Sequence, residues 1–542
     1  MKKIFYLILI AILVGLTSCD FMKFDFYDGP VTEDQFWKLN NSARGELNQA
    51  YSYLQQGYNA YDGAMLAAGC DEAVNSNLNS TVNIFNNGTW SPLRTMTDAY
   101  ATNYKGIRQV NVFLAHANTS SIIPATDIPR LRGEAFFLRA YFHFELLKRY
   151  GGVIIANKVF NLNDSIDLPR NTFSETVAQI VMDCDSALAI NSLPLAIANS
   201  AASDNGRATQ TAAMALKSRT LLYAASPLNN PENNITLWQN AATAAKLLID
   251  KNAHTLLANY ADVFNYTVAP YNKEVIFATS ADNRNDIETN NAPISFAGAL
   301  GRTNPTQELV DAYEMKNGRL ITDPLSGYSA SNPYLNRDPR LALSVFYNGS
   351  LYKTVTVDTY VDGKDSKEKS INGTKTGYYM AKFLSSSATW NTTSNTLVRR
   401  PWVIFRYAEI LLNYAEAQNE AVGPDASVYD AVNQIRKRAR GGIATDLPAN
   451  LTQDQMRERI RNERRIELAF EEHRFYDVRR WKIGELSFAK PVTGMKIVKS
   501  GTTLTYEPFT VETRVFENKN YRFPIPQSEI DKTTKLIQNQ GW

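Results

Sequence analysis

Apolar residues recur at helical spacing over most of the chain, and this periodicity is the feature that most limits the folds open to it. In each such segment, apolar residues lie three and four positions apart over several turns. Gly151 and Gly152 directly follow one segment, as expected just past a helix C-terminus. The pattern predicts helices over 33–56, 98–117, 130–150, 173–190, 208–225, 236–251, 403–420, 426–440 and 452–474.

Six of these predicted helices form three consecutive pairs: 130–150 with 173–190, 208–225 with 236–251, and 403–420 with 426–440. In tetratricopeptide-like hairpins, each pair buries an apolar stripe against the next pair. Small residues such as Ala212 and Ala242 would let partner helices approach closely. The strict repeat consensus is absent, so the prediction depends on helix length and pairing. We predict a mainly α-helical fold, a superhelix of tetratricopeptide-like helix pairs.

The composition changes over residues 270–400, where Asn, Ser, Thr, Gly and Tyr dominate and helical periodicity fades. Short β-prone runs appear, such as Thr354 to Val361. Long loops in a compact domain tend to be functional. We predict a loop-rich, irregular region with a few short strands here, and an irregular tail after residue 485.

The amino terminus has the pattern of an export signal. Lys2 and Lys3 precede an apolar run from Ile4 to Leu16, which is shorter than the roughly 20 residues that a membrane-spanning helix needs. Leu16-Thr17-Ser18-Cys19 then resembles the lipobox of bacterial lipoproteins, in which the cysteine is acylated, for example with palmitate. We expect a signal peptide over 1–18, lipidation at Cys19 and a tether over 19–32, so that a water-soluble domain is held at a membrane.

Charge, cysteine and histidine content exclude several classes of function. The formal charge is +3 and falls to +1 without Lys2 and Lys3, which gives no electrostatic footprint for nucleic acid. Cys70 and Cys184 are too isolated to form a disulfide framework or a metal motif, and the four histidines are scattered singly. No dinucleotide-binding, P-loop, zinc-protease or nucleophile-elbow motif occurs. We therefore expect no cofactor and no metal ion in the function of the protein. Whether a structural metal ion is bound is left open by the sequence.

The segment from Ile460 to Trp481 alternates positive and negative charges at helical spacing, for example Arg459 with Glu463 and Arg464 with Glu467. Such local pairs stabilise a helix by about 0.2–0.5 kcal/mol each. Aromatic and aliphatic residues between the charges suggest that part of this network is buried. An acid and a base for glycosidic chemistry would have to face each other across a cleft, which one helix does not provide. We expect scaffold here and no catalytic residue.

Several segments together resemble one family, the SusD/RagB family of nutrient-binding outer-membrane lipoproteins of Bacteroidetes. The matching segments occur in the family's order and, with the lipobox, span nearly the whole chain. They are Leu138–Val153, Arg406–Ala417, Ile460–Trp481, Tyr521–Pro526 and Asn539–Trp542.

The resemblance implies four tetratricopeptide-like helix pairs in a right-handed superhelix, with an irregular region packed along it. It also implies a lipid-anchored position on the outer face of the outer membrane, above a SusC-like TonB-dependent transporter that receives captured glycan or, in some members, peptide. It implies binding rather than catalysis. We divide the mature chain into an N-terminal SusD-like helical region over 33–265 and a C-terminal SusD/RagB region over 266–542, which together form one compact unit.

Ligand-binding residues are expected in loops, because a glycan needs aromatic platforms beside polar side chains. The stretch from Gln56 to Trp90 is rich in both kinds of group and poor in apolar periodicity. Trp90 is the first candidate, although it could equally cap the edge of the core. The predicted ligand-binding residues are Trp90, Tyr58, Tyr61, Asn75, Tyr328 and Trp390.

The sequence leaves three alternatives open. The first is a helical glycan-degrading enzyme, which would need two opposed carboxylates in a cleft. The second is a scaffold that gates the transporter and binds ligand weakly, with its loop aromatics folded inward. The third keeps the fold and exchanges glycan for peptide.

Overall fold

The computed structural model describes residues 33–38, 42–118, 123–160, 163–165, 167–264, 270–391, 393–441 and 445–542. The predicted signal peptide, the tether and Cys19 lie outside these residues. Within the described part of the chain, no helix is both long and apolar enough to cross a membrane.

The first half of the chain is helical apart from one short strand, β1 (Ala73–Asn75). Its helices are α1 (Glu33–Lys38), α2 (Ser42–Ser52), α3 (Val82–Asn86), α4 (Ala99–His116), α5 (Ile128–Tyr150), α6 (Phe173–Ala189), α7 (Gln210–Ala225) and α8 (Ile235–Ile249).

The second half mixes short strands with helices. The strands are β2 (Val275–Ala278), β3 (Asp282–Arg284), β4 (Thr303–Pro305), β5 (Val345–Phe346), β6 (Leu351–Tyr352), β7 (Val355–Thr356), β8 (Tyr379–Met380), β9 (Val398–Arg400), β10 (Val403–Arg406), β11 (Val492–Ser500) and β12 (Thr503–Glu512). The helices are α9 (Asp286–Asn291), α10 (Gln307–Ala312), α11 (Pro339–Ser344), α12 (Tyr407–Ala421), α13 (Ala426–Ala439), α14 (Gln453–Glu467), α15 (His473–Arg480), α16 (Gly484–Ala489) and α17 (Gln527–Ile530).

The long helices pack against one another in a continuous series. Helix α2 packs on α4, α4 on α5, α5 on α6, α6 on α7 and α7 on α8. Helix α8 then packs on α12, and α12 packs on α13 and α14. All three predicted helix pairs are therefore in contact, and the predicted mainly helical fold is confirmed. Helices from both halves of the chain share one core.

Side-chain caps fix where several of these helices begin. The Thr172 hydroxyl oxygen accepts a hydrogen bond from the Glu175 backbone N–H, and the Glu175 carboxylate accepts one from the Thr172 backbone N–H. Thr452 and Gln455 form the same reciprocal box at the start of α14. Each box satisfies backbone donors that a helix N-terminus would otherwise leave unpaired.

The irregular region lies between α8 and α12, as predicted, and its strands form two-stranded ladders. Strand β2 pairs with β10, β3 with β9, β1 with β4 and β5 with β8, all antiparallel. The predicted β-prone run at Thr354 to Val361 contributes one two-residue strand, β7. The longest ladder, β11 with β12, lies in the predicted irregular tail.

The helix predicted over 33–56 ends at Ser52, four residues early, and two other predicted boundaries are wrong for identifiable reasons. Residues 403–406 form strand β10 because they pair with β2, and the helix begins at Tyr407. The predicted helix over 452–474 ends at Glu467, because Phe470 and Glu472 adopt φ values of +64° and +67°. A left-handed backbone cannot continue a right-handed helix, so α15 starts afresh at His473.

The predicted local ion pairs along α14 are replaced by pairs to distant elements. Arg459 pairs with Glu314 rather than with Glu463, with 3.2 Å between nitrogen and oxygen. Arg464 pairs with Asp477 at 2.7 Å rather than with Glu467. The charges therefore join separate parts of the fold, and most of them are buried, as their apolar neighbours in the sequence suggested.

Glu467 is the centre of this buried network. Its carboxylate accepts hydrogen bonds from Arg340 at 2.8 Å, from Arg406 at 2.7 Å and from Arg438. The Glu467 side chain is fully inaccessible to solvent. Burial opposes the charged form, but the arginines outweigh it and hold the pKa of Glu467 well below its usual range.

We expect Glu467→Gln to lower the free energy of unfolding by about 3–5 kcal/mol, because it leaves buried arginines without their counter-charge. Urea denaturation followed by circular dichroism measures this. The matched control is Asp250→Asn, which removes the partner of Lys246 in a pair whose side chains are about half exposed, and it should leave the free energy of unfolding nearly unchanged. Equal losses in the two variants would contradict the central role of Glu467.

Candidate functional site

Two pairs of short strands bring distant loops together on one surface. Strand β1 pairs with β4, with Ala73 opposite Pro305 and Asn75 opposite Thr303. Strand β3 pairs with β9, with Asp282 opposite Arg400. The loops beside these strand ends form a surface that we call the loop face, which consists of residues 56–63, 76–81, 282–302, 385–391 and 393–396.

A fixed ion pair lies on the loop face. The Arg284 guanidinium donates to both carboxylate oxygens of Asp286, each at 2.6 Å. Asn59 donates to the same carboxylate at 2.9 Å, and Arg284 also donates to Gln56. Burial opposes ionisation, but these donors outweigh it and lower the pKa of Asp286. The ion pair is therefore already formed without a ligand. The Asp286 side chain is 45% exposed, so it can still take part in hydrogen bonds at the surface.

Asp62 orders another part of the loop face. Its carboxylate accepts hydrogen bonds from the Thr81 backbone N–H at 2.7 Å, the Thr81 hydroxyl at 2.8 Å and the Ser80 hydroxyl at 3.0 Å. Burial opposes ionisation here too, but these donors lower the pKa of Asp62. The carboxylate thus joins the 56–63 loop to the 76–81 loop.

Trp390 is the tryptophan of the loop face, and it is half-buried. Its indole N–H donates to the Ala297 carbonyl at 3.0 Å. The Lys353 ammonium lies 4.8 Å from the centre of its ring, and the Phe296 ring centre lies 6.2 Å away. The indole is therefore held in one orientation while part of it contacts solvent.

The turn that carries Trp390 is stabilised by its own polar side chains. The Asn391 side-chain oxygen accepts from the backbone N–H groups of Thr393 and Ser394 at 3.1 and 2.7 Å. Asn285 donates to Asn395 at 2.6 Å and also to the Thr389 carbonyl. Asn285 directly precedes Asp286, so these bonds hold the turn beside the ion pair.

A cavity of about 330 Å³ opens next to Lys353. Its lining includes Leu343 and Leu351, whose side chains are 41% and 65% exposed, together with the hydroxyl-bearing Ser385. Lys382 also lines it, and burial lowers the pKa of this ammonium to about 8. The volume lies within the range of about 300–1,000 Å³ typical of ligand sites. Trp390 and this cavity together suit a ligand with a flat apolar face and polar edges.

Three of the predicted ligand-binding residues lie in or next to the loop face, with their side chains buried below its surface. Tyr58 and Tyr61 are each 4% exposed, and Asn75 is fully buried. The Tyr58 hydroxyl donates to the Pro401 carbonyl, and Asn75 donates to the Tyr61 carbonyl at 3.0 Å. The loops of the Gln56–Trp90 stretch therefore lie at the candidate site. The three side chains themselves support these loops from inside and present no face to a ligand in this structure.

Trp90 lies in a separate part of the core and is 3% exposed. Its ring centre is 5.1 Å from that of Phe85, 4.7 Å from that of Phe523 and 5.0 Å from that of Trp542. This is the core-edge position that the sequence left as the alternative for Trp90. A ligand-binding role for Trp90 stays a prediction, and in this structure the ring is covered by its aromatic neighbours.

Tyr328 belongs to a different aromatic group from Trp390. Its ring lies 5.6 Å from the Arg337 guanidinium carbon. Nearby in sequence, Tyr334 stacks on Tyr347 with ring centres 4.2 Å apart and contacts Tyr506 at 5.8 Å. Tyr328 is half-buried, and its role in ligand binding stays a prediction.

Sequence reasoning missed the charged residues of the loop face. Arg284 and Asp286 lie two positions apart, a spacing too common to single out a site. Lys353 adopts φ +53°, which no sequence pattern signalled. Within the described residues, no group of three His, Cys, Asp or Glu side chains is placed to hold a metal ion.

Two family models cover most of the chain. A model described as the SusD family matches residues 273–542. A second model, described as "Starch-binding associating with outer membrane", matches residues 37–222. The two matches together include the loop face and the helical series apart from α8 and the end of α7.

Comparisons with individual proteins give the same family as these two models. A SusD-like protein of Bacteroides fragilis of known crystal structure is 30% identical, with 95% of this chain and all of that chain covered and a TM-score of 0.80. SusD-like protein P25 of Formosa agariphila is 25% identical over 463 residues, which are 82% of this chain and 79% of that protein. A laminarin-binding SusD-like protein, 21% identical with a TM-score of 0.67 over 93% of this chain and all of that chain, shares the fold.

We expect Trp90→Ala to lower the free energy of unfolding by about 3–5 kcal/mol, because it leaves a cavity in a packed aromatic cluster. Trp390→Ala should cost about 1 kcal/mol or less, because its ring is partly exposed. Urea denaturation of both variants measures the difference. A larger loss for Trp390→Ala than for Trp90→Ala would contradict the two placements.

Proposed function

The chain belongs to the SusD family, and from this premise we propose that it is a cell-surface glycan-binding lipoprotein. In this role it captures an oligo- or polysaccharide and delivers it to a SusC-like TonB-dependent transporter of the outer membrane. The name of the family that matches residues 37–222, which includes both starch binding and the outer membrane, supports the ligand class and the location.

The observation that carries glycan binding is the fixed, half-buried indole of Trp390 beside hydrogen-bonding side chains. Sugar rings present C–H faces that pack on an aromatic face and hydroxyls that bond to polar groups. Asn285 connects the Trp390 turn to Asp286, which Arg284 and Asn59 hold in place. A ligand stacked on Trp390 would therefore meet preformed donors and acceptors at its edge.

The electrostatics of the loop face favour binding over catalysis. A general acid for glycosidic bond cleavage needs a carboxyl group that keeps its proton near neutral pH. Burial raises the pKa of Glu288 in the same face, but this side chain is fully inaccessible and paired with Arg400, so it cannot reach a ligand. The pKa values of Asp286 and Asp62 are both lowered, so both carboxyls are ionised near neutral pH. We assign them no catalytic role, and we propose that they accept hydrogen bonds from ligand hydroxyls.

We extend the proposal to the membrane anchor at Cys19, which lies outside the described residues. Its support is the sequence pattern from Lys2 to Cys19 together with the family match. Acylation at this position would hold the loop face close to a transporter in the same membrane. Delivery to that transporter is then a transfer over a short distance.

We expect Trp390→Ala to weaken glycan binding about tenfold or more, since it removes the apolar face on which a sugar ring would be buried. Affinity electrophoresis of the chain without residues 1–19 against a polysaccharide panel identifies the ligand, and isothermal titration with the retained glycan measures the loss. Trp542→Ala is a matched control, because Trp542 is also half-buried but lies on the C-terminal segment. Tyr328→Ala tests the second aromatic group.

The outcomes separate the proposed function from its rivals. If no polysaccharide retards the protein while a peptide library binds it, the ligand is a peptide. If neither binds, the protein has the transporter-gating role alone. Unchanged glycan binding by Trp390→Ala would remove the site assignment and leave the function standing.

We expect Cys19→Ser to abolish incorporation of labelled palmitate and to release the protein from the membrane fraction, because no other residue of the lipobox can be acylated at sulfur. Cys184→Ser is the matched control, since Cys184 is buried and should not affect anchoring. Continued labelling of the Cys19→Ser variant would contradict the anchor.

A further inference from the structure

A second cleft opens at the opposite end of the β1–β4 ladder from the loop face. It has a volume of about 450 Å³ and lies between α14, α16 and the start of β11. Asp71 lies two residues before β1 and Glu308 three residues after β4, whereas Asn75 and Thr303 form the end of the ladder at the loop face. We call it the arginine cleft, since it is lined by Arg461, Arg465 and Arg474.

Four cations line the arginine cleft against three carboxylates, and two of these carboxylates are already engaged. Asp71 accepts two hydrogen bonds from Arg474, at 2.8 and 2.6 Å, and pairs with Arg465 at 3.3 Å. Glu308 accepts hydrogen bonds from the Thr493 backbone N–H at 3.0 Å and hydroxyl at 2.6 Å. Asp71 is therefore neutralised by its arginines, whereas Glu308 keeps its charge with its oxygens occupied by Thr493, and the four cations exceed the three carboxylates by one.

Among the three arginines of the cleft, Arg461 has the weakest ion pair. Its ion pair with Glu458 is 3.4 Å long, and the Glu458 side chain is 73% exposed. Such exposed pairs contribute little. The guanidinium is nevertheless held in place, because its carbon lies 4.9 Å from the centre of the Trp481 ring. Arg461 thus presents an ordered positive charge to the cleft, and Lys490 adds an exposed one at its rim.

Unused hydrogen-bonding groups occur on the same wall. The Nε atoms of Arg461 and Arg465 are buried and have no hydrogen-bond partner among the described residues. The Asn462 amide nitrogen donates to the Ala312 carbonyl at 3.0 Å, so its side-chain oxygen is the group left to accept a hydroxyl.

The rest of the lining is apolar. Leu486 is 74% exposed, and Ile483, Pro491 and Val492 also contribute. A large apolar side chain so exposed beside ordered cations matches a ligand with an anionic group at one end and C–H surface along its body. A free inorganic anion would make no use of the apolar residues.

We propose that the arginine cleft binds an acidic saccharide, whose carboxylate or sulfate ester is received by Arg461 and Lys490 while its ring packs on Leu486. This inference rests on the proposed function for the choice of a saccharide. The planar guanidinium matches the two oxygens of a carboxylate or sulfate, and these charge-assisted hydrogen bonds are stronger than neutral ones. The loop face and the arginine cleft would then be separate subsites on one protein.

Isothermal titration at low and moderate salt tests this with two matched pairs of probes. Tetragalacturonate is compared with its methyl ester, and a sulfated dextran oligomer with unsulfated dextran. We expect at least one acidic probe to bind, its neutral partner to bind at least tenfold more weakly, and the affinity to fall as salt is added. Arg461→Gln/Lys490→Gln should weaken acidic binding about tenfold or more.

The control variant is Lys437→Gln/Lys369→Gln, which removes the same charge from two exposed lysines outside the cleft. It should change acidic binding by less than about twofold, since only distant charges are lost. The single variant Lys490→Gln provides the test if the double variant does not fold. Thermal melting followed by circular dichroism checks that both variants are folded.

Each remaining outcome is decisive. The inference is overturned if neither acidic probe binds, if the neutral partners bind equally well, or if the cleft variants bind as tightly as the natural protein. Sodium sulfate that binds as tightly as the sulfated oligomer would show an anion site without saccharide recognition and would also overturn it. If a neutral polysaccharide binds through Trp390 while the acidic probes fail, the proposed function stands and the arginine cleft assignment alone falls.

Discussion

The carboxylate of Glu467, buried among three arginines, is the interaction on which the architecture depends. Arg340 comes from the irregular region, Arg406 from strand β10 and Arg438 from helix α13, so one side chain joins three parts of the chain. Charged side chains that are buried away from water are tolerated only when every partner is in place. The irregular region is therefore fixed to the helical series by complete pairing as well as by apolar packing.

A second buried ion pair fixes the elements that flank the loop face. Arg400 on β9 pairs with Glu288 on α9 at 3.0 Å, and both side chains are fully inaccessible. Glu288 also accepts a hydrogen bond from the Ser385 backbone N–H, while Arg400 donates to the Phe383 carbonyl. The elements on both sides of Trp390 are thus fixed before any ligand arrives. Such preorganisation reduces the ordering cost of binding.

The helices could be predicted from the sequence because the spacing of apolar residues in each one marks the side that it buries. The two wrong boundaries arose where tertiary contacts decide: residues 403–406 pair with β2, and left-handed residues interrupt the helix after Glu467. Composition likewise located the loops of the candidate site but not the orientation of their side chains. Tyr58 and Trp90 are buried, whereas Trp390 is held at the surface by a carbonyl 93 residues away in the sequence. No pattern in a single sequence shows such a contact.

The turn around Asn391 has an evolutionary consequence. Its hydrogen bonds are largely local, and the Glu288–Arg400 pair anchors its flanks without involving the residues at its tip. Insertions and substitutions at the tip would therefore change the shape presented to a ligand at little cost to folding. The shape of this turn and the stability of the charged interior therefore depend on different residues, so that one can change without the other.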